Sequence, residues 1–187
     1  LHVVLDDQVY IAQGAGEIAL KGAFRCFSPV RAMQYNAFCD DFGPVNMAAV
    51  IDFIKGLDCE TEAYPDHKIV CLVQQGKRHL TNAIFLFGAY MILKLDMTAE
   101  QVAERFYWLE PTLIEPYRDA TFTEADFHLH LLDCWRGLEK GKSHGWVQYA
   151  SSGYMWGEID IEQYEHYNNP ANGYMHIVVP GKFVAFQ

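Results

Sequence analysis

The residues most suggestive of chemistry lie between Cys71 and Thr81, where an apolar run gives way to a polar, glycine-containing stretch. A cysteine that attacks a phosphate ester needs a His-Cys pair, five loop residues, an arginine and then serine or threonine. The thiolate attacks phosphorus, while loop N–H groups and the dipole of the following helix lower the thiol pKa. The arginine holds two phosphate oxygens with its planar guanidinium. Two alignments of the chain with this pattern are possible.

The first alignment takes Cys71 as the nucleophile. The arginine position then falls on Lys77, and Arg78 comes one residue late. Lysine is a point charge that cannot reproduce the bidentate grip of a guanidinium. Val70 stands where the histidine is needed. This alignment therefore lacks two of its parts.

The second alignment starts from Thr81, which fits the Ser/Thr position after the arginine. The cysteine position then holds Gln74 and the arginine position holds Leu80, with Gly76 in the loop. Neither side chain can perform the required step. Because both alignments lack essential residues, we interpret this stretch as a structural strand–turn–helix unit with no catalytic residue.

Other chemical patterns in the chain are also incomplete. Gly76-Lys77 has Cys71 where a nucleotide-binding loop needs its first glycine, and residues 137–143 are one residue short of the same pattern. His128 and His130 are two apart, so on a helix they would not share a ligand face. We therefore expect no metal site and no cofactor.

An acidic, aromatic segment lies towards the end of the chain. Its carboxylates and its interleaved aromatic residues are Glu158, Asp160, Glu162, Glu165, Tyr154, Trp156, Tyr164 and Tyr167. One interpretation is an ordinary solvated helix face. The other is a surface for a cationic peptide, with carboxylates that pair with Lys or Arg and aromatic rings that give cation–π contact.

Composition narrows the classes of partner. The chain has 187 residues, with 14 Lys and Arg against 24 Asp and Glu, and a formal charge of -10. This balance argues against nucleic acid and favours basic peptides. The five cysteines form no CxxC pair, which predicts reduced thiols in an intracellular protein. Residues 80–93 are the most apolar run and are too short to cross a bilayer, so we expect no membrane partner.

The chemistry-bearing residues must be positioned by an α/β arrangement of short strands and longer helices. A hairpin is predicted around residues 6–8, a strand at 68–73, and strands at 177–179 and 183–186. Pro44 and Gly56 predict a helix over 45–55, and residues 80–93 predict a buried helix. Thr98 with Gln101 predicts a further helix through about 105. Thr123 with Asp126 predicts one from 127 to 141, and a short helix is predicted over 161–167.

Six stretches together resemble one family. They are Asp41–Asn46, Asn82–Tyr90, Tyr117–Phe122, Leu132–Gly137, Tyr164–Tyr167 and Val179–Phe186. Their order and spacing are similar to the amino-terminal domain of the cell-division-cycle-fourteen family of dual-specificity phosphatases, which act in mitotic exit and cytokinesis. The resemblance covers residues 35–187, and residues 1–34 match poorly as an N-terminal extension or hairpin.

The resemblance implies two tandem domains, of which only the carboxyl-terminal one carries the His-Cys-(x)5-Arg loop. The amino-terminal domain is a degenerate copy of the dual-specificity-phosphatase fold, a central mixed sheet flanked by helices. It packs on the catalytic domain and helps to form the substrate groove. Inside the cell, the family implies the nucleus, the cytoplasm or the spindle and centrosome.

The family prefers phosphoserine followed by proline, with a basic residue shortly after that an acidic groove receives. Glu165 matches one groove carboxylate, and Glu162 is a second candidate. Two other acidic family positions fall on Asn168 and Tyr174, a departure from the family pattern. Two alternatives stay open from the sequence. One is a free-standing pseudophosphatase or interaction module, and the other is an active phosphatase that uses Cys71.

Overall fold

A computed structural model gives the structure of residues 1–14, 23–149, 158–179 and 181–186. Its centre is a four-stranded sheet formed by β1 (His2–Leu5), β2 (Val9–Gln13), β3 (Phe24–Phe27) and β4 (Lys68–Val73). The strand order is β1-β2-β4-β3. β1 is antiparallel to β2, whereas β2 and β3 both run parallel to β4. The sheet is therefore mixed, and three of its strands come from residues before position 35.

The helices and the smaller elements follow in chain order. The helices are α1 (Val30–Met33), α2 (Met47–Ala63), α3 (Lys77–Leu95), α4 (Ala99–Arg105), α5 (Leu131–Ser143) and α6 (Ile161–Tyr167). Two short strand pairs, β5 (Tyr117–Arg118) with β6 (His128–Leu129) and β7 (Met175–Val179) with β8 (Phe183–Phe186), are antiparallel. The predicted α/β class with a mixed sheet is confirmed.

The core lies between the sheet and the helices. Every residue of α3 from Leu80 to Leu93 is buried. Side chains of a strand alternate between the two faces of a sheet. Ile69, Cys71 and Val73 of β4 accordingly join the main core, and Val70 joins a smaller cluster on the opposite face. No helix in the described part of the chain is both long and apolar enough to span a lipid bilayer.

Several predicted elements are confirmed. The hairpin near residues 6–8, the strand over 68–73, the buried helix, the helix over 161–167 and the final strand pair are all present. Thr98 and Gln101 form the predicted capping box of α4. Residues 15–22, and Pro180 between the last two predicted strands, lie outside the described residues.

Two helix boundaries were predicted wrongly. Gly56 does not end α2, which continues to Ala63, because Leu57 is fully buried in the next position and its packing offsets the low helix propensity of glycine. Thr123 and Asp126 do not open a helix. The chain first forms β6, and α5 begins after His130, whose backbone N–H donates to Asp133 at 3.0 Å. His128 and His130 are therefore not helical residues.

The contact between α3 and α5 requires a glycine at position 88. The indole N–H of Trp135 donates to the carbonyl of Phe85 at 3.3 Å, and a Cβ atom on Gly88 would lie 2.1 Å from that indole nitrogen. The two helices can pack this closely only because the side chain at position 88 is missing.

Gly88→Ala is expected to lower the free energy of unfolding by about 1–3 kcal/mol, because the overpacked contact outweighs the gain in helix propensity. Gly137→Ala is the matched control, since a Cβ atom there meets nothing within 4 Å. That variant should be stabilised by about 0.5–1 kcal/mol. Urea unfolding of both variants measures the difference, and equal stabilities would contradict the packing.

Candidate functional site

The loop between β4 and α3 occupies the position at which an α/β phosphatase binds phosphate. It consists of Gln74, Gln75 and Gly76, at the carboxyl end of a parallel strand and the start of a 19-residue helix. Gly76 has φ +125°, a conformation that only glycine adopts readily. The Gln13 amide donates to the carbonyls of Gln74 and Gly76 at 3.1 and 2.7 Å. The side chain of this β2 residue thus holds the loop through two of its carbonyl groups.

Cys71 lies inside β4 and not in the loop. Two strand residues separate it from the loop, and the residue is 0 % exposed within the main core. Burial raises its pKa to about 12, because desolvation disfavours the thiolate. A buried neutral thiol has neither the charge nor the access that attack on phosphorus requires.

Arg78, the residue nearest to the arginine position, is engaged elsewhere. Its Nε donates to Glu115 at 2.9 Å, and its Nη2 donates to Asp40 at 2.9 Å. The guanidinium also lies 5.3 Å from the centre of the Phe42 ring. Glu115 is the main cause of its raised pKa. Arg78 therefore joins two distant loops to the first turn of α3. Its guanidinium group is already paired and is not available to a phosphate.

The other residues that the two alignments singled out, Lys77, Leu80 and Thr81, lie in α3. Leu80 is buried in the core. The Thr81 hydroxyl lies 2.9 and 3.1 Å from the carbonyls of Lys77 and Glu115, and it accepts the Glu115 N–H at 3.1 Å. Lys77 is exposed at the start of α3. The contacts of Thr81 fasten the residue 115 loop to α3.

A cavity of about 340 Å³ opens beside this loop. Its lining is Val30, Met33, Gln34, Tyr35, Gln74 and His79. Among the described residues, its lining has no lysine or arginine to neutralise a phosphate dianion. Through Gln34 and Tyr35 it adjoins a larger groove.

The larger groove, about 500 Å³, lies among α1, α2, α6 and β7. Its charged and aromatic lining residues are Arg31, Tyr35, Asp52, Tyr164, Glu165, Tyr174 and His176. Asn168 lines it too. All three positions that the family resemblance aligned with groove carboxylates, Glu165, Asn168 and Tyr174, thus lie along one groove. Glu162 is exposed on the same helix but is not part of the lining.

One wall of the groove is aromatic. The His176 ring lies 5.9 Å from the Tyr164 ring and 5.7 Å from the Tyr174 ring, measured between centroids. Burial raises the pKa of Tyr164, so this ring is a neutral phenol at physiological pH. Such rings can contact the apolar stem or the cationic head of a lysine or arginine. Of the other predicted aromatic residues, Tyr167 is not part of the lining, and Tyr154 and Trp156 lie outside the described residues.

Asp52 is a groove carboxylate that could not be singled out from the sequence. It is an exposed residue of α2 with no ion-pair partner among the described residues. In the sequence it is one charge on an amphipathic helix, and nothing in its neighbours relates it to α6. Within the described ranges, no three His, Cys, Asp or Glu side chains come together as metal ligands.

The structure is an α/β domain with a mixed sheet, in which the thiol of Cys71 is buried in β4 and the guanidinium of Arg78 is paired with two carboxylates. The family model described as dual specificity protein phosphatase, N-terminal half, matches residues 3–141. The chain belongs to this family, as the six sequence motifs predicted.

Curated relatives agree with this family. Dual specificity protein phosphatase CDC14A of Mus musculus is 35% identical over 162 residues, which is 86% of this chain and 26% of the relative. Tyrosine-protein phosphatase CDC14 of Saccharomyces cerevisiae is 28% identical over 163 residues, 86% of this chain and 28% of the relative. The chain spans about a quarter of the length of these relatives.

Proposed function

We propose that this chain is the non-catalytic amino-terminal half of a dual-specificity protein phosphatase of the CDC14 type. It packs on a carboxyl-terminal catalytic domain and helps to form a groove for basic phosphopeptide substrates in cell-cycle control. The observation that carries the proposal is the state of the strand–loop–helix unit, in which Cys71 of β4 is buried and Arg78 of α3 is bound to two carboxylates. Hydrolysis is then the task of the other half.

The groove supplies the second part of the proposal. Glu165 and Asp52 bring carboxylates to it, and Tyr164 and Tyr174 bring aromatic rings. A lysine or arginine that follows the phosphoserine can pair with a carboxylate while its stem lies against a ring. Asn168 and Tyr174 replace two family carboxylates, so the attraction of the groove for the basic residue of the substrate depends on fewer charges. Glu162 contributes to the local field from outside the lining.

The hairpin β7–β8 supports the packing part of the proposal. Phe183 and Phe186 are 60 % and 79 % exposed, and Val178 and Val184 are also exposed. Several exposed large apolar side chains on one hairpin are typical of an interaction surface. We propose that this hairpin packs against the carboxyl-terminal half.

An acidic intracellular protein with five free cysteines fits the nucleus, the cytoplasm or the spindle and centrosome.

The double change Phe183→Ser with Phe186→Ser tests this packing. In the full-length parent we expect a loss of about 2–4 kcal/mol in the free energy of unfolding, because two phenyl rings lose a buried interface. In the isolated chain the same change should shift stability by less than about 0.5 kcal/mol, since both rings are exposed there. Denaturant unfolding of the four proteins gives the comparison. The same small shift in both backgrounds would exclude the hairpin from the interface.

A further inference from the structure

An ion pair already occupies the groove carboxylate on α6. Nη2 of Arg31, on α1, lies 2.5 Å from Oε1 of Glu165, which is 134 residues further along the chain. Both side chains line the groove. Their exposed fractions are 82 % for Arg31 and 50 % for Glu165. The carboxylate is therefore accessible to a ligand and is neutralised by a cation of the same chain.

The arginine is held only weakly. Its bond to Glu165 is the one hydrogen bond that its side chain makes within the described part of the chain. An exposed pair of this kind contributes little to stability, because solvent screens it and two long side chains lose freedom. The guanidinium can therefore swing away when another cation approaches. Its displacement needs no change in the backbone.

The charge of the groove changes when the arginine leaves. Counted over Asp, Glu, Lys and Arg, the described part of the lining has two carboxylates, Asp52 and Glu165, and one cation, Arg31. With Arg31 in place the formal sum is -1, and without it the sum is -2. The ion pair thus lowers the attraction of the groove for a basic peptide.

We propose that Arg31 is an internal competitor for the basic residue of the substrate, and that its ion pair with Glu165 sets how strongly that residue is preferred. The inference rests on the proposed function of the groove. A lysine or arginine of the peptide binds Glu165 only after it displaces Arg31. Arg31 is therefore a specificity-determining residue that acts against the substrate and not with it.

The test uses the full-length parent and two phosphopeptides. Both contain phosphoserine-proline, and they differ only in a lysine or an alanine shortly after the proline. The quantity measured is the ratio of kcat/KM for the lysine peptide to that for the alanine peptide. Arg31→Gln should raise this ratio about 1.5- to 5-fold, the range that exposed ion pairs span. The gain should shrink at high ionic strength.

Two further variants separate competition from a general charge effect. Arg136→Gln removes an arginine that is 55 % exposed and paired with Glu100 at 2.9 Å on α4, away from the groove. It should leave the ratio at its wild-type value. Arg31→Lys keeps a cation at the pair and should also stay close to wild type. An equal gain from Arg136→Gln would overturn the proposal, because the effect would then follow net charge.

Glu165→Gln distinguishes the failure of this inference from that of the proposed function. If Glu165→Gln lowers the ratio but Arg31→Gln does not raise it, the proposed substrate groove is supported and the proposed competition by Arg31 is wrong. If Glu165→Gln leaves the ratio unchanged, the proposed groove fails and the inference fails with it. In the double variant Arg31→Gln with Glu165→Gln, removal of the arginine should bring no gain. A gain that persists there would overturn the competition.

Discussion

Glu165→Lys in the full-length parent should lower the preference for a peptide with a basic residue after the phosphoserine by about tenfold. The change removes one groove carboxylate and places a lysine close to Arg31, so two cations of the protein face the cation of the peptide. Like charges placed together in an interface oppose binding strongly, and a tenfold change corresponds to about 1.4 kcal/mol. The measurement is the ratio of kcat/KM for peptides with lysine and with alanine.

Two control positions show whether the effect belongs to the groove. Glu100→Lys makes the same charge change on α4, where the carboxylate pairs with Arg136. It should leave the peptide ratio within about twofold of wild type, because exposed charges beyond about 10 Å are screened at physiological ionic strength. Glu162→Lys lies on α6 with Glu165 but outside the lining, so we expect an intermediate loss. Equal losses from all three variants would contradict a specific groove.

Cys71 should react with iodoacetamide about a thousandfold more slowly than an ordinary cysteine at neutral pH. Its pKa rises from the usual 9.0 to about 12 through burial, and each pKa unit lowers the thiolate fraction tenfold. Limited access to the thiol slows the reaction further. The rate should keep rising tenfold per pH unit through the neutral range, because the thiol remains protonated there.

The exposed Cys59 is an internal control for this measurement. Timed alkylation of the folded chain, followed by mass spectrometry of the cysteine-containing peptides, gives both rates in one experiment. In denaturant the two thiols should react at similar rates. A Cys71 thiol that reacts as fast as Cys59 in the folded chain, with a titration midpoint near neutrality, would restore Cys71 as a candidate nucleophile.

The strand–loop–helix unit could be predicted because its signals are local. A β-branched run, a glycine and a long apolar run determine β4 and α3 almost by themselves. The sequence also shows that the phosphatase pattern is incomplete, because the pattern requires particular residue types at fixed spacing. The burial of Cys71 follows from its place inside the strand, where its side chain points to the helix-covered face.

The partners of the charged residues could not be predicted in the same way. Arg78 binds Asp40 and Glu115, which lie 38 and 37 residues away in the chain. Arg31 and Glu165 are farther apart still, and they come together because α1 and α6 both pack against α2. The predicted helix end at Gly56 and the predicted helix start at Thr123 were wrong because local helix signals are weak. Burial or strand pairing can override them.

Arg78 illustrates how the domain keeps its architecture without the chemistry. An arginine in the first turn of α3 would be placed to hold phosphate if it faced the loop. Here it pairs with two carboxylates and lies over the Phe42 ring, so it stabilises the fold. The buried α3 helix and the closed loop are retained, and the groove lies on the other side of α1.

The most direct test of a non-catalytic amino-terminal half is the activity of the full-length parent with Cys71→Ala. The measured quantity is kcat/KM for a phosphoserine-proline peptide with a downstream lysine. We predict a value within about twofold of wild type, because a buried thiol with a pKa of about 12 takes no part in hydrolysis. A folded Cys71→Ala variant that loses tenfold or more would contradict the account and place the nucleophile in this chain.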